Sequence, residues 1–172
     1  MQETSHTSST GSSGLAHIGL RVKEYQSLLN LKQFIEPERG LVRTEDGWEE
    51  NDLRSTEIRF VNRDRFQWVY RLMQNYARQV QAKLGLDSVL EIRDNIQLGT
   101  YYPGDYYDWH TDGRTMSASV LLSDTFTGGR LEFRGGGPKL GRAGDAVFFR
   151  NEPHRVKPVL TGVRDTLVVW WK

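Results

Sequence analysis

From Asp87 to Lys172 the chain never again sustains a helical period, and runs instead as short β-rich segments broken by Gly and Pro. No other feature restricts its fold as much, because helices followed by many short strands pack as a helical layer against antiparallel sheet. The clearest helix precedes that shift. Between Arg65 and Leu84, residues Phe66, Val69, Tyr70, Met73, Tyr76, Ala77, Val80 and Leu84 fall on one apolar stripe. Asp64 is the expected N-cap and Gly85 the expected C-terminal stop. A looser helical spacing links Tyr25, Leu28, Leu29, Leu31 and Ile35 before Pro37 intervenes.

The expected architecture is mainly β with flanking N-terminal helices: a double-stranded β-helix, or jelly roll of the cupin kind. At 172 residues the chain has the length of one domain with one substantial core. Residues 1–14, rich in Ser, Thr and Gly, read as a disordered tail or an expression remnant without the apolar centre of a signal peptide. The domain then spans 15–172. A formal net charge of +1 argues for neither a nucleic-acid nor a membrane partner. The absence of cysteine excludes disulfides, zinc-thiolate sites and iron–sulfur clusters. No apolar run approaches the roughly 20 residues of a membrane span, so a cytoplasmic location is expected. Glu36–Glu57 is polar and irregular, far longer than connections of about 4–6 residues. Trp48, Arg43 and Arg54 on it suggest a lid that contacts substrate; the alternative is a surface hairpin without a catalytic role.

Three residues carry the chemistry. On a strand, His110 and Asp112 share a face and aim one nitrogen and one oxygen at a common point. A later strand supplying His154 completes two histidines and one carboxylate, the facial triad of non-haem Fe(II) oxygenases. Taken alone, His-x-Asp is also what two polar residues on a surface strand look like. Arg164 adds weight: it heads the nearly all-apolar run Arg-Asp-Thr-Leu-Val-Val-Trp-Trp beyond a turn at Thr161-Gly162. A guanidinium there is costly to bury unless it grips an anion with its planar fork, pairs with an acid such as Asp165, or stays solvated. Gly135–Gly141 lacks the ending of a phosphate loop and reads as a β-turn. The aromatics between Tyr101 and Trp109 read as wall residues rather than a separate stacking face. Arg114 is a substrate contact or a solvated loop residue. His6 and His17, in and just after the tail, are not ligands.

The stretch Ile96–Trp171 resembles the catalytic core of the Fe(II)/2-oxoglutarate-dependent dioxygenases, most closely the prolyl 4-hydroxylase branch. The resemblance is carried by Gln97, Tyr101, Gly104, Tyr107, His110-Thr-Asp112, Leu121-Leu-Ser-Asp, Gly128-Gly129, Leu131-Glu-Phe133, Gly141-Arg-Ala-Gly-Asp-Ala-Val-Phe-Phe149, His154-Arg-Val-Lys-Pro-Val159, Gly162-Val-Arg164 and Trp170. It implies that His110, Asp112 and His154 bind Fe(II). Arg164 then takes the distal carboxylate of 2-oxoglutarate, with Tyr101 and Trp170 beside the cosubstrate. Collagen-type members usually carry lysine where this chain has Arg164, and oxygen-sensing members carry arginine. The implied reaction couples O2 and 2-oxoglutarate to C–H hydroxylation, releasing succinate and CO2, with ascorbate as a candidate reductant. A prolyl residue in a peptide or protein is the expected substrate, with Arg114, Tyr107, Trp109 and Trp48 as candidate contacts. Two alternatives stand beside it: a hydroxylase of a free amino acid or other small molecule, and a metal-binding jelly roll without catalysis.

Overall fold

The computed structural model describes residues 14–40, 42–44, 47–49, 52–88 and 90–172, with 42–44 and 47–49 as strand backbone alone. All but the last residue of the expected tail, and the side chains of Arg43 and Trp48, lie outside these. In chain order the elements are β1 (Leu15–Gly19), α1 (Val22–Asn30), β2 (Glu38–Arg39), β3 (Val42–Thr44), β4 (Gly47–Glu49), β5 (Arg54–Ser55), β6 (Glu57–Val61), α2 (Gln67–Val80), β7 (Ile96–Tyr101), β8 (Tyr106–His110) and β9 (Met116–Leu121). There follow β10 (Phe126–Gly128), β11 (Leu131–Phe133), β12 (Asp145–Phe149), β13 (His154–Val156), β14 (Val159–Gly162) and β15 (Arg164–Trp171).

Seven strands form a major sheet in the order β1-β12-β9-β15-β7-β6-β2, and four form a minor sheet in the order β11-β13-β8-β5. Every ladder is antiparallel. β10 pairs with β14, and β3 with β4. The two sheets are hydrogen-bonded separately, so the arrangement is mainly β with two flanking helices and, among the described residues, no closed barrel.

Alternation along the strands sorts the major sheet into two faces. Leu98, Ala118, Val120, Ala146, Phe148, Leu167, Val169 and Trp171 join the α2 residues Val69, Tyr70, Met73, Ala77 and Val80 in one core. The stripe read from sequence is thus the helix face that covers the sheet. Tyr70 does more than pack: its hydroxyl donates to Val61 O (2.7 Å) and accepts from Ile96 N (3.1 Å), pinning α2 to neighbouring β6 and β7. The opposite face carries Gln97, Tyr101, Ser119, Phe149, Arg164, Thr166, Val168 and Trp170, and looks toward the minor sheet.

Both helices start elsewhere than expected. α1 begins at Val22, because the Glu24 carboxylate accepts the Arg21 backbone N–H (2.9 Å) and the Tyr76 hydroxyl (2.5 Å), fixing the first turn against α2. It passes into a single 3-10 turn at Leu31–Gln33 rather than continuing to Ile35. Asp64 does not cap α2. Asn62 captures the Arg65 backbone N–H with its side chain (2.9 Å) and Phe66 N with its carbonyl (3.0 Å), holding a turn that delays the helix to Gln67. Gly85 ends the helical run as expected, at φ 66°. The Glu36–Glu57 segment is no free excursion at its ends: β2 pairs with β6 and β5 with β8. At the centre of the expected lid β3 pairs with β4, and the side chains there lie outside the described residues.

The two adjacent tryptophans separate the faces energetically. Trp171 is fully buried beside Phe148 and donates to Gln74 Oε1 (3.1 Å), whereas Trp170 is half-buried on the other face. Trp171→Ala should cost about 3–5 kcal/mol in urea unfolding. Trp170→Ala, which leaves no comparable cavity, should cost clearly less.

Candidate metal centre

The centre is assembled across the β13–β8 pairing, where His154 lies directly opposite His110. The register shifts beyond that pair: Val156 faces Tyr107, so Asp108 and Trp109 together oppose Arg155. This one-residue bulge has two results. Tyr107 and His110 come to share a face and stack, with ring centroids 3.6 Å apart and planes 10° apart. The Asp108 carbonyl is also turned to accept from His110 Nδ1 at 2.7 Å. His154 Nδ1 donates likewise to Glu152 O at 2.8 Å, and the Phe149 ring packs edge-on against His154 at 4.8 Å.

Asp112 is not on a strand. β8 ends at His110, and the carboxylate reaches its neighbours from the following loop. The strand-alternation argument therefore named the right residue for the wrong reason. What places Asp112 is the turn behind it. Gly113 adopts φ 63°, open to glycine at little cost, and its N–H donates to Asn151 Oδ1 at 2.8 Å. That bond ties the Asp112 loop to the loop leading into His154. Arg114 secures the other side through Asp94 Oδ2 at 2.7 Å.

The three donors lie within 4.8 Å of one another. Asp112 Oδ1 is 3.5 Å from His110 Nε2 and 3.7 Å from His154 Nε2. Because a carbonyl can only accept, each Nδ1 carries a proton, and each ring turns to the centre its Nε2, the atom whose lone pair would bind a metal. Burial works against the Asp112 carboxylate, yet the polar groups that face it, the two imidazoles first among them, outweigh burial and hold the group down to about 2. Burial is the largest influence on His154 and pushes its imidazole below the ordinary range, despite Asp112. Asp112 Oδ2 is buried with no hydrogen-bond partner among the described residues. Convergent lone pairs around an unanswered carboxylate oxygen repel one another unless a cation sits among them. Two imidazoles and one carboxylate suit Fe(II), and the residues fit that ion.

Arg164 opens onto the same pocket. It is 1% exposed, and its Nε and Nη1 find no partner among the described residues. The sequence alternative, pairing with Asp165, does not hold: that carboxylate is on the other face, taken by Lys32 Nζ (2.6 Å) and Thr100 Oγ1 (2.8 Å). Burial pushes the Arg164 guanidinium down from its usual range. Tyr101 lies opposite it in register, with the guanidinium 5.1 Å from the ring centre. Trp170 and Tyr107 also line the pocket, and burial pushes the Tyr107 phenol up to about 12, so it stays neutral. Trp109 points away, toward Arg134 and Arg155. Arg54 is a wall residue that sequence reasoning assigned only to the lid. It is buried over the Tyr107 ring at 4.9 Å and donates to Thr56 Oγ1 at 2.6 Å. The polar text around it gave no periodic signal that it turns inward.

Residues 96–172 match the profile of the 2OG-Fe(II) oxygenase superfamily. The matched stretch runs from β7 to the end of the chain and takes in His110, Asp112, His154 and Arg164. A Burkholderia pseudomallei oxidoreductase of the 2OG-Fe(II) oxygenase family superposes with a TM-score of 0.72 at 16% identity, covering 92% of this chain and 85% of its own. The viral collagen prolyl hydroxylase of Paramecium Bursaria Chlorella virus-1 gives 0.70 at 19%, covering 92% and 96%. A Pseudomonas putida prolyl-4-hydroxylase gives 0.66 at 19%, covering 92% of each chain. At these identities the likeness is one of fold. No curated protein matches the chain in sequence.

Two outcomes are expected. Since burial holds His154 below the ordinary imidazole value, NMR titration of its ring should show protonation displaced to the acid side of a free histidine's. Asn151→Ala should lower Mn(II) affinity about 10–100-fold, the usual cost of losing a group that orients ligands. Asn151→Asp, which keeps the acceptor, should recover most of it.

Proposed function

We propose that this protein is a non-haem Fe(II)/2-oxoglutarate-dependent dioxygenase that hydroxylates a prolyl residue in a peptide or protein, its two sheets forming the walls of a double-stranded β-helix. One observation carries the reading. A buried guanidinium with unanswered N–H groups faces the pocket that also holds three convergent metal donors. That pair of needs, a cation and an anion in one cavity, is what iron and a dicarboxylate cosubstrate supply together. The prolyl assignment draws support from the fold shared with proteins described as prolyl hydroxylases.

His110, Asp112 and His154 would hold Fe(II), which with 2-oxoglutarate and O2 supplies hydroxylation of a C–H bond alongside succinate and CO2. The remaining work belongs to the chain. The Asp108 and Glu152 carbonyls hold each ring in one tautomer, and the Tyr107 and Phe149 rings fix its orientation. Arg164 receives the distal carboxylate of the cosubstrate, with Tyr101 at its side and Trp170 on the wall. Leu131, Val156 and Val168 make the lining apolar and keep water from the reacting centre. Ascorbate is included in this proposal as a reductant. The alternative substrate is a free amino acid or other small molecule. No helix of the described residues is long and apolar enough to cross a membrane.

Fe(II)-dependent conversion of 2-oxoglutarate to succinate is the first check, since a binding module without catalysis gives none. Mass spectrometry then reads a one-oxygen gain on proline peptides or on free amino acids, and separates the two substrate classes. His110→Ala, Asp112→Ala and His154→Ala should each abolish succinate formation with the fold retained. Arg164→Ala removes one partner of a buried charge pair, at about 2–5 kcal/mol, and should raise the 2-oxoglutarate requirement roughly tens- to thousands-fold with Mn(II) affinity unchanged. Arg164→Lys, keeping charge but losing the fork, should fall between. An unaltered 2-oxoglutarate dependence in the alanine variant removes Arg164 from the site.

A further inference from the structure

The face of the minor sheet turned away from the metal centre is strongly basic, and nothing in the mechanism uses it. Leu131 and Phe133 of β11, and His154 and Val156 of β13, point inward. Alternation therefore places Glu132 on the outer face with Arg130 and Arg134 to either side, and Arg155 with Lys157 after it. The backbone N–H of Lys157 donates to Arg130 O (2.9 Å), which aligns those two cations across the strands. Glu132 is opposite Arg155 and already engaged by it, at 2.9 and 2.8 Å from Nε and Nη2. Trp109, thrown to this side by the β8 bulge, has the Arg134 and Arg155 guanidiniums 5.1 and 4.7 Å from its ring centre. Lys139 borders the same groove, between β11 and the glycine turn. The chain as a whole carries only +1, so this concentration of charge is local.

We propose that this surface docks an acidic, extended polypeptide segment, carried by the substrate protein next to the residue that enters the pocket. Arg130, Arg134 and Lys157 are exposed. Carboxylates at alternate positions of an extended strand stand about 6.6–6.8 Å apart, a spacing that lets neighbouring side chains meet successive cations along β11 and β13. A single-stranded nucleic acid fits less well. Its bases need an open aromatic platform, and the Trp109 ring already has two guanidiniums upon it. The inference rests on the polypeptide-substrate reading above, but its test involves no turnover, so either can fail alone.

The probe is a fluorescein-labelled, proline-free peptide of alternating Glu and Ser, titrated against the full chain by anisotropy. Saturable binding is expected, weakening as salt rises and absent for the Gln-Ser counterpart. The double variant Arg134→Glu with Lys157→Glu should lose about tenfold or more in affinity, with Mn(II) affinity unchanged. Binding that ignores this charge reversal, or no binding at all, overturns the assignment. So does displacement of the peptide by a lower concentration of single-stranded oligonucleotide, which would make the surface a nucleic-acid site.

Discussion

The structure depends on a pair of hydrogen bonds that never touch a metal. The Asp108 and Glu152 carbonyls hold the Nδ1 protons of His110 and His154, and so decide which face of each imidazole carries its lone pair. Were either ring free to switch tautomer, its Nε2–H could satisfy Asp112, and the site would collapse into an ordinary cluster of polar side chains. With both tautomers locked, the three donors cannot answer one another. Cation affinity follows from that frustration, and the helices and major sheet serve to hold the frame in which it persists.

Much of this was legible in the sequence. The apolar stripe of α2, the Gly85 stop and the alternation of Arg164, Thr166, Val168 and Trp170 follow from period alone, because burial on one face leaves a regular trace. His110, Asp112 and His154 could be named because few chains combine them with an arginine so placed. Less legible were features that break periodicity. Asp112 reaches the centre from a loop, by means of a glycine turn and Asn151, and strand geometry cannot foresee such a bond between residues far apart in the chain. The Asp64 cap failed for a related reason. Asn62 and Glu24 stabilise helix starts through turns and cross-helix contacts, whereas the usual signal looks only at the residue before the apolar run.

Arg164 shows how structure resolves what sequence leaves open. Its neighbour Asp165 is the nearest acid in the chain, yet alternation sends the two to opposite faces, and Lys32 and Thr100 claim the carboxylate. Adjacent residues of opposite charge thus do unrelated work. Asp165 helps fasten the segment after α1 to the sheet, and Arg164 is left facing the pocket.

The bulge in β8 has a further consequence. Because two residues stand opposite Arg155 where a regular ladder has one, the strand is one residue longer than its pairing partner requires. Removing Asp108 or Trp109 would restore a regular ladder, with His110 still opposite His154 and Tyr107 opposite Val156. The fold would tolerate such a shortening. Tyr107 and His110, then two apart, would still share a face, but the carbonyl that the bulge turns toward His110 Nδ1 would swing back into the ladder. Length at this point is therefore under no demand from folding, only from chemistry, and a homologue lacking the extra residue would be a folded protein with a loosened imidazole.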